Sequence, residues 1–419
     1  MNIVVIAPGS RGDVQPYVAL GKGLQAAGHA VRILATQDFQ QLVTDQGLGF
    51  VDMGGSAETG AQLMQDIVEQ GNLLKILAST GRGAKQLAHQ AAVSGFAACQ
   101  DADLLVGGLG GLFVGQALSE KLAVPFLQAH LLPLTPTSEF PSVLAPFPTT
   151  RLTRWANGLS HRLTQQMIWQ MFRAADNNVR AELHLTPAPL FGPFAALERQ
   201  AQPILYGYSP QVLPPPADWN DSIHVTGYWF LEPPPAWEPP ADLVAFLHAG
   251  SPAIYIGFGS MPSSNPAATT DLVVQALARS GQRGVLSAGW GGLKKEQLPE
   301  NVFMIGSIPH SWLFPHMAAV VHHGGAGTTA AGLAAGVPSI VTPFFGDQPF
   351  WGQRVHALGV GPQPIPRRRL TASNLAEAID RAVSDTLMRT RAAALGARIR
   401  AEDGIARAVA IIEQHSTHA

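Results

Sequence analysis

The sequence predicts an α/β protein of two domains, each a doubly wound and mostly parallel sheet covered by helices. Three observations carry this. The chain has 419 residues, more than one ordinary core accommodates and suited to two domains of roughly 200 residues each. It opens as strand, loop, helix and strand, the start of a crevice-forming α/β unit. Finally, the same alternation restarts near residue 253, after the proline-dense stretch L-E-P-P-P-A-W-E-P-P at 231–240. Such a stretch forms neither helix nor inner strand.

Composition narrows the class. Hydrophobic residues make up 46% and charged residues 13%, as in a compact protein with much buried surface. A formal net charge of −2 gives no reason to expect nucleic acid or an anionic membrane as a partner. The single cysteine, Cys99, excludes an internal disulfide and fits a reducing cytoplasm. No basic n-region precedes the first strand, and the longest apolar run, 104–118, is broken by glycines. A soluble protein is expected, with peripheral contact with lipid left open.

The first half reads in order as follows. Residues 2–7 are a short apolar run suited to a central parallel strand. Residues 8–16, P-G-S-R-G-D-V-Q-P, form the loop, and 17–27 carry helical spacing that Gly28 ends. The next strand is 31–35. The loop lacks G-x-G-x-x-G and no carboxylate closes the second strand, which argues against a dinucleotide-binding dehydrogenase. Asp13 lies where an aspartate commonly caps the following helix. Strands are expected at 103–106 and 124–129, with a helix at 113–121 between them. Residues 130–150 are rich in proline and poor in charge, and suit either core packing or an apolar binding loop. An amphipathic helix follows at 151–185, with Trp155, Met167, Trp169, Met171 and Phe172 among its apolar residues. Strands at 204–206 and 224–227 close this half.

In the second half, strands are expected at 253–257, 285–288 and 302–305. The chain then reaches V-V-H-H-G-G-A-G-T-T-A-A-G-L-A-A-G-V-P-S-I-V-T-P-F-F-G-D-Q at 320–348. A strand end, a glycine turn and an alanine-rich helix point backbone N–H groups and a positive helix end at whatever lies above the turn. His323 stands at the lip, and Thr328 and Thr329 fall near the helix start. From Asn301 to Gly346 there is no Asp, Glu, Lys or Arg. An anion here would be held by dipoles and imidazole, which describes a diphosphate pocket that works without a metal. Four histidines, His310, His316, His322 and His323, suggest a metal cluster at first sight. Adjacent residues of a strand point to opposite faces, and no Cys or carboxylate is close in sequence, so no metal site is expected. Arg367–Arg369 reads as a solvated basic loop. Residues 372–383 and 388–414 are helical in pattern.

The stretch 320–348, with G-V-P at 336–338 and P-F-F-G-D-Q at 343–348, resembles the nucleotide-sugar signature of family 1 glycosyltransferases with the GT-B fold. It is most similar to the sterol 3β-glucosyltransferases and the glycopeptide-antibiotic glucosyltransferases. The resemblance implies two Rossmann-like domains facing across a cleft. These are an acceptor domain at 1–230, a linker at 231–243, a nucleotide-sugar domain at 244–395, and a final helix at 396–419 crossing back to the first domain. It implies that His323 contacts the diphosphate of a UDP-sugar, with donors from Gly327 and Thr328, and that Asp347 and Gln348 bond the sugar hydroxyls. The loop at 10–16 resembles the family's S-R-G-D-V-x-P motif. There Ser10 and Arg11 approach the diphosphate and Asp13 is the catalytic base, beside or in place of its role as a cap.

The motif G-F-G-S-M-P at 257–262 resembles the loop in which Ser260 faces the phosphates. In I-P-H-S-W-L-F at 308–314, Ile308 would meet the uracil through its backbone and His310 would stand beside the nucleotide or serve the core. Trp290 would cover the nucleotide or pack internally. Gly12, Gly325 and Ala326 complete the implied donor set. Three positions depart from relatives: Asp13 where many plant and animal members have histidine, Ser311 where Asp is common, and Ala331 where plant members have a ribose-holding Glu. The implied reaction is inverting transfer of glucose from UDP-glucose to a hydrophobic alcohol, with no cofactor and no metal. The rivals are a dTDP-sugar or UDP-rhamnose donor with an antibiotic or lipid acceptor, and a nucleotide-sugar epimerase on the same fold.

Overall fold

The computed structural model describes residues 1–56, 81–145, 153–198, 202–259, 265–288 and 298–416. Ser260, Trp290 and Phe147 lie outside the described residues. The chain divides into two compact units. One comprises Met1–Pro210, Pro214–Leu231 and Asp403–Ala419, and the other Gln211–Leu213 and Glu232–Glu402.

The first unit holds a seven-stranded sheet, all parallel, in the order β3-β2-β1-β4-β5-β6-β7. Its strands are β1 Asn2–Ile6, β2 Ala30–Ala35, β3 Gly49–Asp52, β4 Leu104–Gly107, β5 Phe126–His130, β6 Ile204–Tyr206 and β7 Ile223–Val225. Successive side chains of β1 feed opposite cores. Ile3 and Val5 pack with Val18, Leu20 and Leu24 of the helix Arg11–Ala26, while Val4 and Ile6 pack with Leu105, Phe113 and Leu118. A strand buried on both faces must be apolar throughout, which is why N-I-V-V-I carries no alternation.

The second unit has a five-stranded parallel sheet, β10-β9-β8-β11-β12. Here β8 is Ile254–Gly257, β9 Gly284–Ser287, β10 Val302–Ile305, β11 Ala319–His322 and β12 Ser339–Val341. Strand order reverses between β1 and β4 in one sheet and between β8 and β11 in the other. Ligands of open α/β sheets bind outside the carboxyl ends of strands at such switch points. The sequence places Gly9–Asp13 after β1, Phe258–Gly259 after β8 and His323–Gly325 after β11.

Several boundaries differ from expectation. The first helix starts at Arg11, not after Pro16. Its N-terminal turn is held by Ser10 and Asp13, and the helix runs through Pro16 despite the lost N–H donor. The long helix is Arg154–Glu182, and it buries Trp169 fully while leaving Trp155, Met171 and Phe172 exposed. Two helices, Thr386–Arg400 and Gly404–Ser416, occupy what reads as one. The Asp403 side chain accepts from the Ala406 N–H at 2.9 Å and starts the second of them. That last helix packs on the first, with Ala408, Val409 and Ile412 in the same core as Val18 and Leu20. Arg367 is not a free solvated charge, because its guanidinium donates to Thr269 Oγ1 at 2.9 Å and half of it is buried near Phe344.

Candidate functional site

At the end of β1 the chain turns on Gly9, whose φ of +134° suits glycine. A Cβ there would lie 2.6 Å from Asp13 Oδ2, so the turn has room for the carboxylate only because residue 9 has no side chain. Asp13 Oδ2 accepts from the Ser10 backbone N–H and from the Ser10 hydroxyl, both at 2.8 Å. The expected capping role of Asp13 is therefore present. Desolvation raises its carboxyl above the usual range, against the lowering effect of the two Ser10 hydrogen bonds. The side chain still meets solvent, so the desolvation comes from protein packed around the group, not from full enclosure. A carboxylate of raised pKa that keeps an open face can take a proton. Ser10 is committed to Asp13, and the exposed Arg11 bonds along its own helix to Gln15 Oε1 at 3.0 Å. Gly12 is exposed beside them.

Behind this turn Tyr17 donates to the carbonyl of Ala129 at 2.5 Å, and Gly108 leaves the space that the phenol occupies. The next residue, His130, ends β5. It is buried, its Nε2 faces Gln128 Oε1 at 3.2 Å, and its Nδ1 has no partner among the described residues. Desolvation lowers it to about 4, so it is neutral at pH 7. Sequence reading passed over His130 as the start of a loop. Its place at the carboxyl end of a central strand is the signal that could have marked it.

In the second unit β11 delivers both histidines. His322 is fully buried, and its Nδ1 accepts from the Gly324 N–H at 3.1 Å, which fixes the glycine turn. The ring of His323 fits between two glycines: a Cβ on Gly325 would lie 2.4 Å from Nε2, and one on Gly259 would lie 2.9 Å from Cε1. Desolvation lowers His322 to about 3, with smaller contributions from His323 and His310, and lowers His323 to about 4. Both are neutral at pH 7, so His323 can offer one N–H without a formal charge.

The helix Ala326–Ala335 begins at Gly325 with no side-chain cap. Its first intrahelical bond runs from the Thr329 N–H to the Gly325 carbonyl at 2.9 Å. The N–H groups of Ala326, Gly327 and Thr328 precede that bond, at the positive end of a ten-residue helix. Gly327 is exposed and a Cβ there would meet open space. An anion would find donors here, on a stretch of chain, 301–346, that carries no Asp, Glu, Lys or Arg.

His310 opens the short helix His310–Leu313. Its ring stacks on Phe314 at 4.3 Å, and its Nε2 lies 3.3 Å from the Tyr255 hydroxyl. Ile308 is half-buried against the same core. Asp347 Oδ2 accepts from the Trp351 indole N–H at 2.7 Å. Gln348 is buried, and its Oε1 accepts from the N–H groups of Phe344 (2.8 Å) and Phe345 (3.3 Å). That oxygen shapes the 343–347 turn and is not turned outward. Among the described residues no three His, Cys, Asp or Glu side chains are grouped to hold a metal ion.

Comparison with known proteins gives this geometry a family. A model described as "Glycosyltransferase family 28 N-terminal domain" matches residues 3–141, and "Erythromycin biosynthesis protein CIII-like, C-terminal domain" matches residues 291–413. Two sterol 3-beta-glucosyltransferases of Arabidopsis thaliana are 38% and 36% identical over 99% of this chain, which covers 66% and 68% of them. The chain belongs to the GT-B glycosyltransferases. Within them, the sterol 3-beta-glucosyltransferase of Aspergillus fumigatus is 38% identical over 98% of the chain, which covers 30% of it. The chain thus spans about two thirds of the plant relatives and under a third of the fungal one. Among solved structures, the calicheamicin glycosyltransferase CalG4 superposes with a TM-score of 0.68 at 19% identity, covering 99% of this chain and 98% of that one. The Streptomyces glycosyltransferase SsfS6, complexed with thymidine diphosphate, gives 0.62 at 22% identity, covering 99% of each chain. These likenesses carry the GT-B fold.

Proposed function

We propose that this chain moves glucose from UDP-glucose to a hydroxyl of a hydrophobic acceptor, a sterol or a similar polycyclic or aromatic alcohol, with inversion at C1. The observation that carries the reading is the uncapped start of the helix Ala326–Ala335 beside a neutral His323. It is supported by relatives along nearly the whole chain that are named sterol 3-beta-glucosyltransferases. In this reading the diphosphate takes the N–H groups of Ala326, Gly327 and Thr328 and one N–H of His323. Asp13 accepts the hydroxyl proton as the acceptor oxygen bonds to C1, and the bond from C1 to the diphosphate oxygen breaks. The charge that develops on the departing UDP is met by dipoles already aimed at it. Desolvation of Asp13 makes it a stronger base than a free aspartate. Asp347 and Gln348 remain the candidates for the sugar hydroxyls, and Ser10, Arg11, Ser260, Trp290, Ile308 and His310 for the rest of the donor.

The test is product mass. Incubation with UDP-glucose and a sterol should add one hexosyl unit to the sterol. Isomerised donor with unchanged sterol would point to an epimerase, and no turnover with any acceptor would leave a binding module. A second reading, a dTDP-sugar donor, draws support from neighbours of the same fold complexed with thymidine diphosphate. A panel of UDP-glucose, UDP-rhamnose and dTDP-glucose separates the donors by kcat/KM.

A further inference from the structure

The helix Arg154–Glu182 carries an outward stripe that the site does not use. Trp155, Leu159 and Leu163 are spaced four residues apart and share one face, and they are 77%, 41% and 53% exposed. Beside them a tight turn closes from the Gly192 N–H to the Pro189 carbonyl at 3.0 Å. Its two central residues, Leu190 and Phe191, project outward with 54% and 72% of their surface exposed. The turn is pinned to the helix: Gln166 Nε2 donates to the Phe191 carbonyl at 2.8 Å, and Trp169 Nε1 donates to the Leu190 carbonyl at 2.9 Å. Gly192, at φ +77°, lies against the Trp169 ring where a Cβ would clash. Most of the large apolar side chains exposed among the described residues lie on this helix or this turn.

Charge says what could cover the face. From Phe140 to Ala175 the sequence has no Asp, Glu or Lys and four Arg: Arg151, Arg154, Arg162 and Arg173. Arg162 and Arg173 fall on the same side of the helix as Trp155, and Arg154 adjoins it. Glu198 is paired with Arg162 at 2.7 Å, and Asp218 accepts from the Thr137 hydroxyl and the Ser138 N–H. Glu139 is bonded to the Ala217 N–H at 2.8 Å. A second copy docked through this face about a two-fold axis would bring like arginines together. An anionic surface would not. A Trp, a Phe and leucines projecting among arginines suit the boundary between headgroups and acyl chains, where apolar side chains enter and arginines stay with phosphates.

We propose that this face, the stripe Trp155–Leu159–Leu163 with the Leu190–Phe191 turn, seats the first unit on an anionic lipid surface. No helix among the described residues is long and apolar enough to cross a membrane, so the contact is interfacial. It stands whether or not the sugar-transfer reading holds, because its test needs no turnover. The full chain is sedimented with vesicles of phosphatidylcholine alone and of phosphatidylcholine with about a third phosphatidylglycerol. Binding is expected on the anionic vesicles, to weaken as salt rises, and to fall about ten-fold or more in the Trp155→Ser/Phe191→Ser double variant. Both side chains are exposed, so that variant should melt as the unchanged protein does. Leu387→Ser, which removes an exposed leucine of the second unit, should leave binding intact. Absence of vesicle binding, equal binding to both vesicle types, or binding untouched by the double variant would overturn the proposal. So would a concentration-dependent dimer in sedimentation velocity that the double variant abolishes.

Discussion

Two helices of this protein start alike and end up with opposite chemistry. The helix Arg11–Ala26 follows β1, and the helix Ala326–Ala335 follows β11; each strand lies at a switch point of its sheet, and each helix is entered through glycine. The first helix folds its own side chains over its start. Asp13 reaches back to Ser10, so a carboxylate sits where the backbone donors are. The second has Gly325 as its cap and Ala326, Gly327 and Thr328 as its first turn, and brings no carboxylate. A helix N-terminus favours negative charge in either case. Whether that charge is the protein's own or arrives with a ligand depends on a few residues in the first turn. Self-capping places a carboxylate, and an uncapped start leaves room for a visitor.

The sharpest way to break this comparison is at Asp13. Asp13→Ala should lower kcat/KM by about 10²–10⁴-fold while UDP binding, measured by calorimetry, stays within about two-fold. Retained turnover would remove Asp13 from the chemistry, and lost UDP binding would show that the first turn also serves the donor. A smaller effect is expected at the other helix. His323→Ala should weaken UDP about ten-fold, the size of one hydrogen bond to a charged group, with little change in the melting temperature. Gly325→Val should do the same with the imidazole still present, because its side chain must push His323 aside.

The smallest effect distinguishes the units by acidity. His322 and His323 titrate at about 3 and 4 in the folded protein, against about 6.5 in an unfolded chain. Their contribution is full above the unfolded value and is lost as pH falls from about 6.5 towards 4. In the first unit desolvation lowers His130, His161 and His224 likewise, but the raised carboxyls of Asp13 and Asp176 work in the opposite direction. Hydrogen exchange at pH 7 and pH 5, corrected for intrinsic rates, should show peptides from β11 and β12 losing more protection than peptides from β1 and β2. Equal losses would mean that the histidine pair is not the acid-sensitive element.

How much of this was legible in the sequence depended on the range of the interaction. Strands buried on both faces are continuous apolar runs, so β1, β4 and β11 were readable to within a residue or two. The glycine turn with His323 was readable because its chemistry is local. The start of the first helix was not, since Pro16 argues for a loop and only the reciprocal bonds of Ser10 and Asp13 outweigh it. The orientation of Gln348 was not legible for a related reason: its carbonyl oxygen turns back to the Phe344 and Phe345 N–H groups, and no pattern of residue types reveals a rotamer. The stripe on the helix Arg154–Glu182 has the apolar spacing of a core helix. Which side of such a helix is covered is decided by distant segments, so Trp169 and Trp155 look equivalent in sequence and differ completely in burial.

The helix Gly404–Ser416 packs on Arg11–Ala26 from the far end of the chain, with Ile405 filling the space beside Gly23. The N-terminal sheet therefore lacks part of its cover until residues 403–416 have left the ribosome, whereas residues 232–402 form a nearly uninterrupted unit made earlier. During synthesis the later-encoded half has everything it needs first, and the earlier-encoded half waits. Trimming the last fifteen or so residues should accordingly be felt beside Asp13 and not beside His323.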